Sequence, residues 1–481
     1  MKPKAAPIAQ EREFHLHELF FSTTDKKGIV RSGNDVFVRV SGYSKADILG
    51  QPHNIIRHPD MPRVVFKLLW DYLKADKSIV AYVKNMAIDG RYYWVVALVT
   101  PLNDGYLSIR FKPSSELFPL VNGLYQQLVA LENNLILAGK KPKEAMEMAG
   151  EKLLEALREK GFESYDAFMH LMLREELKSR ETLLRAQADE RSPRPSSKNV
   201  DARDDRTTRL RRISNHSEQI ARTLGELFSK LDDFVLLGSK LEGKVDFISD
   251  MAQSMRILSL NTGIASSHLA VEREVLTSIA NLMGDNSKHL STNVQSMGQR
   301  LLNVGALLKG VAYDLAAARL QLEMLQTFLY ELLARMSHDE DRLAQNSDPQ
   351  VVPNILTLQN TFMQTYKQAV SAFQKIESDL QRLSREGTEL QRSVQTLQFV
   401  HLVGRVEISR RVQLAGLGKI MEEVLGKIEN MRNLLTDLSE AVAFLFREVN
   451  NLGQVDRRVS ASLQAMNSDT QLLEAELVAR A

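Results

Sequence analysis

The sequence has no cysteine among its 481 residues. This absence excludes disulfide bonds, thiolate metal sites and cysteine nucleophiles, and it fits a reducing compartment. An excess of one charge is also missing, because the formal net charge is +2. No basic stripe with interleaved aromatic residues is found, so we expect no binding to nucleic acid.

Long apolar runs are absent as well. The best candidate for a membrane span, 301–320, is interrupted by Lys309, Asp314 and Arg319. The first residues, MKPKAAPIAQERE, lack the apolar core of a signal peptide. We therefore expect a cytoplasmic protein with no transmembrane segment. No serine–histidine–acid pattern, P-loop or metal-ligand spacing occurs, and we expect no enzymatic activity.

Proline is scarce, and its 13 occurrences leave 196–348 and 354–481 without the strongest helix breaker. Within both segments, apolar residues recur at alternating steps of four and three. A repeat averaging about 3.5 residues predicts long antiparallel coiled-coil helices. Examples are Leu290, Val294, Met297, Leu301, Val304 and Leu308 in the first segment, and Ile376, Leu380, Leu383, Leu390 and Val394 in the second.

Each proline-free segment has the pattern of a helical hairpin. Met255–Ser267 aligns without gaps with Leu397–Ser409, which indicates an internal duplication, although any two coiled coils share heptads. A single hairpin exposes an apolar seam that a second pair of helices must bury. We therefore expect an intramolecular four-helix bundle, a pseudo-dimer within one chain. The alternative is a homo-oligomer held together by these arms.

These patterns predict seven consecutive regions. The polar, charged and proline-bearing run at 187–206 is typical of a flexible linker. The predicted regions are an N-terminal tail (1–19), an N-terminal domain (20–113), a helical connector (114–186), the linker (187–206), a first hairpin (207–345), a short connection (346–353) and a second hairpin (354–481).

The segment Gly50–Pro62, GQPHNIIRHPDMP, carries the most functional information. Proline fixes φ, so its three prolines hold an irregular path that can aim Arg57, His58 and Asp60 inward. An ordinary surface loop is the alternative. Around this segment, strand patterns at 79–83, 92–100 and 106–111 and helical spacing at 34–40 and 64–73 predict an antiparallel sheet with helices packed on one face.

This segment and its neighbours resemble the PAS sensor domain of aerotaxis receptors, bacterial sensors that carry FAD. The neighbours that carry the resemblance are Ser22–Asp25, Asn34–Phe37, Ser41–Tyr43, Trp70, Lys84–Asn85 and Arg91–Trp94. The resemblance spans about residues 20–112. It implies an α+β PAS domain, followed in this chain by the long coiled-coil helices, and an FAD ring in the PAS pocket.

The resemblance also implies which residues hold the flavin. Trp70 offers an aromatic wall, Asn85 an amide that can donate and accept, and Arg57 with His58 positive charge near the diphosphate. The remaining candidates are Asn34, Asp60 and Trp94.

Each of these candidates has an alternative. Asn34 and Asp60 could orient the others or hold the loop, and only one of Tyr93 and Trp94 can face the pocket, because neighbouring strand residues alternate. Trp70 could be a core aromatic, and Arg57–Asp60 a structural ion pair. His53 or His58 could instead ligate heme, or the pocket could be empty.

The tips of the two predicted hairpins indicate which partner protein the chain could bind. Met255–Ile264 resembles the chemoreceptor signalling tip, but Ser267-His268 replaces an expected arginine. The second tip keeps Glu407 and Arg410 but carries Val403-Gly404-Arg405 in place of an asparagine and small residues.

The resemblance implies redox or oxygen sensing through FAD. Our hypothesis is that the signal passes from Asn85 through the sheet to the helices after Pro113. The partner would be the chemotaxis kinase, its adaptor or a chemoreceptor array. The alternative is a cofactor-free interaction scaffold that joins receptor arrays or other coiled coils.

Overall fold

A computed structural model of the chain describes residues 5–189, 205–267, 273–338, 349–409 and 415–480. The chain divides into two compact units. The first comprises Met1–Gly225, Ala312–Gln368 and Arg458–Ala481, and the second comprises Glu226–Val311 and Ala369–Arg457. Residues 190–204 of the predicted linker, 346–348 of the predicted connection, and His268 and Arg410 of the tips lie outside the described residues.

A six-stranded sheet lies in the first unit. Its order is β1-β5-β6-β2-β3, with β4 paired to the other edge of β5. All pairs are antiparallel except β1 with β5, which is parallel. Strand β1 falls within the predicted tail and is exposed throughout, so it shows no apolar alternation to reveal it. The strands are β1 (Ile8–Glu11), β2 (Phe20–Asp25), β3 (Val30–Gly33), β4 (Ile79–Met86), β5 (Arg91–Pro101) and β6 (Gly105–Phe111).

Helices cover both faces of this sheet. Helices α1 (Asp35–Ser41), α2 (Lys45–Ile48) and α3 (Arg63–Lys74) lie between β3 and β4 in the chain, with a 3₁₀ turn at His53–Ile56. The sheet is followed by α4 (Leu117–Leu137), α5 (Pro142–Glu159) and α6 (Tyr165–Asp189).

The sequence predicted helices on one face of the sheet only. Helices α4 and α6 form a second helical layer on the other face. On this outer face the Trp94 ring packs on Phe118, with centroids 5.2 Å apart, and the Tyr82 hydroxyl donates to Glu176 at 2.6 Å. Strand β5 is accordingly buried along most of its length, as expected for a strand covered on both sides.

In the described part of the chain, four long helices follow: α7 (Asp205–Ser267), α8 (Arg273–His338), α9 (Val351–Ser409) and α10 (Ala415–Arg480). In the second unit, Lys244 pairs with Asp437 at 2.7 Å and joins α7 to α10. Arg300 pairs with Glu386 at 2.8 Å and joins α8 to α9. The two hairpins of one chain therefore pack against each other, and the predicted intramolecular four-helix bundle is present.

The predicted heptad positions form the core of the second unit. Its buried members include Val294, Met297 and Val304 in α8, Leu383 and Leu390 in α9, and Val424, Ile428 and Leu435 in α10. Full burial of one such side chain contributes about 1.5–3 kcal/mol. The helical pairing therefore derives mainly from the apolar seam, because exposed ion pairs contribute only about 0–1 kcal/mol each.

One helical segment has the length and apolar composition of a membrane span. Thr277–Arg335 is the one such segment among the described residues, and 61% of its most apolar window is buried within the protein. Core helices of bundles have the same composition, because they bury apolar residues on a wide face.

Two glycines of α8 test the packing of the second unit. A Cβ added at Gly298 would lie 2.8 Å from Val245 Cγ1, whereas nothing lies within 4 Å of one at Gly310. We expect Gly310→Ala to stabilise the helix by about 1 kcal/mol. Gly298→Ala should lose that gain to overpacking, which costs about 1–3 kcal/mol. Thermal unfolding followed by circular dichroism measures both; an equal rise in midpoint would contradict the close contact.

Candidate functional site

A cavity of about 280 Å³ lies between α3 and the inner face of the sheet. Small side chains at Ser22, Ala97 and Ser108 line the sheet side, and they leave space beneath the helix. Trp70 lies on the opposite side, with its ring edge-on to Tyr106 at 5.6 Å. The remaining walls combine apolar groups from α3 and β4 with a few polar groups, the composition typical of small-molecule sites.

Two buried hydrogen-bond donors in the cavity lining have no partner among the residues that the structure describes. Asn85 is 2% exposed and its Nδ2 atom is unpaired; Arg110 is 2% exposed and its Nη1 atom is unpaired. A buried donor without a partner costs about 1–3 kcal/mol, and more if it is charged. The cavity is therefore suited to a ligand that presents hydrogen-bond acceptors to both side chains.

Arg110 also joins His53 and Ser22. Its Nη2 atom donates to Ser22 Oγ at 3.0 Å and lies 2.6 Å from His53 Nε2. Burial, reinforced by the charge of Arg110, lowers the pKa of His53 to about 3. His53 is therefore neutral and accepts through Nε2. Burial also lowers the pKa of Arg110 to about 10, which still leaves a cation at neutral pH.

Of the predicted site residues, Trp70, Arg57 and Asn85 line this cavity. Arg57 lies at its mouth, where Nη2 donates to the Met61 carbonyl at 3.0 Å and the guanidinium sits 4.2 Å from the Phe66 ring centroid. Burial is the main cause that lowers the pKa of Arg57. The short bridge between Arg57 and Asn85 ties the Gly50–Pro62 segment to strand β4.

His58 and Asp60 do not line this cavity. His58 is 3% exposed, and its Nδ1 atom accepts the backbone N–H of Asp60 at 3.1 Å. Asp60 is exposed and pairs with Lys84 at 2.8 Å, and this hydrogen bond is the main cause that lowers its pKa. The Asp60–Lys84 ion pair anchors the loop to β4.

Asn34 and Trp94 also lie away from the cavity. Asn34 caps α1: its Oδ1 accepts the N–H groups of Phe21 and Phe37, and its Nδ2 donates to the Leu19 carbonyl. Trp94 faces α4 on the outer side of the sheet. Its neighbour Tyr93, which is paired with Asn85 across the strands, is the residue on the inner side, because neighbours in a strand point to opposite faces.

The sequence prediction missed Arg110 and Ser22 as site residues, and it considered His53 only as a heme ligand. A signal for Arg110 was present in β6. There Tyr106, Ser108 and Arg110 alternate with Leu107, Ile109 and Phe111, so a charge falls on the face that carries the other polar residues. An arginine at a buried position of a strand indicates that a ligand or another residue compensates its charge.

The comparisons with known proteins concern the N-terminal region of the chain. Residues 31–107 match the family model for the PAS fold. An aerotaxis receptor from Escherichia coli (strain K12) is 41% identical over 114 residues, which are 23% of this chain and 22% of that receptor. A crystallised PAS domain from Colwellia psychrerythraea is 21% identical, with a TM-score of 0.19, over 20% of this chain and 85% of that one.

The N-terminal domain is therefore a PAS domain, and the predicted resemblance to aerotaxis receptors over this region is confirmed. The chain covers about a fifth of the length of the receptor that it matches. C-terminal to this domain, the residues that the structure describes are mainly helical.

Proposed function

We propose that this chain is a non-enzymatic, cytoplasmic signal-transduction protein that binds FAD in its PAS domain and transmits the redox state of the flavin to its helical bundle. The observation that carries the proposal is the pair of unpartnered buried donors in the cavity, Asn85 Nδ2 and Arg110 Nη1. The similarity of the PAS domain to that of an aerotaxis receptor supports the same assignment.

The lining residues fit the ring of a flavin. The pyrimidine edge of the isoalloxazine presents carbonyl oxygens and ring nitrogens, which can accept from Asn85 and Arg110. Trp70 and Tyr106 supply aromatic walls. A bound flavin supplies reversible electron transfer, and its reduced forms carry more negative charge. The Arg110 cation would stabilise that charge in a site of low dielectric constant.

The contacts of the two loop histidines disfavour the heme alternative. His53 Nε2 faces the Arg110 guanidinium at 2.6 Å, and His58 Nδ1 accepts the Asp60 N–H at 3.1 Å. An iron ligand needs a ring nitrogen with a free lone pair directed at the metal. Binding iron through these atoms would break both contacts.

A continuous set of contacts leads from the cavity to α8 within the first unit. Arg110 bonds Ser22 of β2, and the adjacent Phe21 packs edge-on against Phe328 of α8 at 5.3 Å. Asn34, which accepts the Phe21 N–H, donates to Glu331 of α8 at 2.9 Å. A change of charge in the cavity can therefore bias the position of β2 and, through it, the packing of α8.

The proposed output partner is the chemotaxis kinase, its adaptor or a chemoreceptor array. Near the ends of α7 and α9, Ile257, Leu260, Phe399 and Leu402 are each more than half exposed. These residues belong to the segments that resemble the chemoreceptor signalling tip. Exposed apolar side chains of this size are typical of protein contact sites.

Replacing Asn85 tests the proposed flavin site. Asn85→Leu keeps the size of the side chain but removes a donor, and a neutral hydrogen bond contributes about 0.5–1.5 kcal/mol. We expect FAD affinity of the full chain to fall about two- to tenfold in a fluorescence titration. The matched control Asn103→Leu, at an exposed turn between β5 and β6, should bind as wild type. Equal affinity of the two variants would contradict the assignment of Asn85.

Glu331 gives the first unit a predicted dependence on pH. Burial raises its pKa from 4.5 to about 7, although the Asn34 hydrogen bond and Arg335 oppose the rise and Asp35 supports it. The folded protein then holds a proton that the unfolded chain releases above about pH 4.5. The free energy of unfolding should therefore fall as pH rises from about 4.5 to 7 and stay lower above that range.

Glu331→Gln should remove this part of the slope in denaturant unfolding measured from pH 4.5 to 8. Asp314, whose pKa burial also raises to about 7, contributes a second part of the same sign. Glu144→Gln, at an exposed position, is the control and should leave the slope unchanged. A wild-type slope in Glu331→Gln would show that Glu331 does not titrate in this range.

A further inference from the structure

A second cleft, of about 870 Å³, lies between α3 and the α4–α5 hairpin. It shares Asn54, Arg57, Phe66 and Trp70 with the lining of the 280 Å³ cavity. The two spaces are therefore adjacent, and these four residues lie on both linings. The inner cavity is slightly smaller than the roughly 300–1,000 Å³ of typical ligand sites, whereas the outer cleft falls within that range.

The outer cleft is positively charged. Arg57, Arg63, Lys67 and Lys74 line it, and its carboxylates are those of Asp71 and Glu132. Lys67 is paired with Asp71 at 2.7 Å. In the part of the chain that the structure describes, neither Arg63 nor Lys74 forms an ion pair. Such a surface favours an anionic ligand.

Glu132 holds the hairpin in place against α3. Its carboxylate is 4% exposed and accepts the backbone N–H groups of Arg63 and Val64, both at 2.8 Å. These are the first N–H groups of α3, where an external anion could otherwise bind. An anion in the cleft would therefore be bound by the side-chain cations rather than by the helix N-terminus.

Helices α4 and α5, which follow the PAS fold, supply the opposite wall. Val129 and Asn133 of α4 and Met146 of α5 face the cleft. Gly150 of α5 packs next to Val64, where an added Cβ would lie 3.4 Å from Val64 Cγ2. The wall is thus fixed to α3 at more than one point along the hairpin.

We propose that the α4–α5 hairpin completes a binding site for the diphosphate and nucleoside half of a flavin dinucleotide, opposite the cations of α3. This inference rests on the proposed function, because it requires the flavin ring to occupy the inner cavity. With the ring in the inner cavity, the rest of the flavin dinucleotide would extend outward past the shared residues Arg57, Phe66 and Trp70. Its phosphates would then meet Arg63, Lys67 and Lys74. Riboflavin, which ends before the phosphates, would not use the outer cleft.

The test compares FAD with riboflavin on the flavin-free full chain by fluorescence titration. Met146→Glu places a carboxylate in the cleft, and Met148→Glu, two residues along the same helix and 43% exposed, is its control. Lys74→Glu reverses a cation of the opposite wall, and the exposed Lys77→Glu is its control. We expect Met146→Glu and Lys74→Glu to weaken FAD binding about tenfold, because like charges repel, and to leave riboflavin binding unchanged.

Three results would overturn this inference, and they separate it from the proposed function. If wild type binds neither flavin, the proposed function fails together with the inference. If wild type binds both flavins, and Met146→Glu and Lys74→Glu bind FAD as well as their controls, the inference alone fails. An equal loss of FAD and riboflavin in the two variants would place the effect in the ring cavity and would also reject the proposed role of the hairpin.

Discussion

Replacing Arg110 by methionine should weaken FAD binding by about 10- to 100-fold and should stabilise the flavin-free protein. Among the described residues Arg110 forms no ion pair, although it is 2% exposed. A hydrogen bond to a charged group contributes about 1.5–3 kcal/mol, and each 1.4 kcal/mol is a factor of ten in affinity. Methionine fills similar space without a charge, so the cost of burying an unpaired cation disappears.

The opposite signs of these two effects distinguish a binding residue from a structural one. FAD affinity is measured by fluorescence titration, and stability by thermal unfolding of the flavin-free chain. Arg31→Met, which breaks an exposed pair with Asp104, is the control and should change neither quantity appreciably. A flavin-free Arg110→Met protein that is less stable than wild type and binds FAD normally would show that Arg110 serves the fold alone.

Loosening the contact between β2 and α8 should uncouple the bundle from the PAS domain. We expect reduction of the flavin to change amide hydrogen exchange several-fold in residues 320–338 of α8. In Phe328→Leu/Glu331→Ala, which alters the packing on Phe21 and removes the partner of Asn34, this difference should be lost. Neither replaced side chain lines the cavity, so FAD binding should remain.

Leu302→Ala is the matched control for this double substitution. Leu302 is on the same helix but 51% exposed, so its truncation should leave the exchange difference intact. If the double variant kept the full response to reduction, the route through Phe21 and Asn34 would be excluded. A loss of FAD binding would show instead that the double variant damages the PAS domain itself.

The long helices could be predicted well from the sequence, because their signal is local and repeated. The spacing of Leu290, Val294 and Met297 requires one buried side of a helix, and proline is absent over long stretches. The pairing of two hairpins in one chain followed from the need to bury that seam. Strand β1 could not be predicted in this way, since its four exposed residues form a short parallel pair with β5.

The candidate site was predicted only in part. Trp70, Arg57 and Asn85 came from the resemblance to a known family, and all three line the cavity. Trp94 does not line it, because the packing of the sheet against α4 decides which face a strand side chain points to. Asn34 does not line it either, because its side chain bonds the backbone of Leu19 and Phe21.

The missed residue, Arg110, is 57 positions from its partner His53 in the chain. No residue near either of them in the sequence indicates that Arg110 and His53 are in contact. Only the antiparallel pairing of β6 with β2 brings Arg110 beside Ser22 and over the cavity. Contacts of this kind depend on the tertiary fold, and local patterns do not reveal them.

The visible absorption spectrum of the purified full chain, supplemented with FAD and desalted, tests the central claim most directly. The account predicts flavin bands that bleach with dithionite and return in air, and that weaken in Asn85→Leu and Arg110→Met. A colourless wild-type protein after supplementation would contradict it.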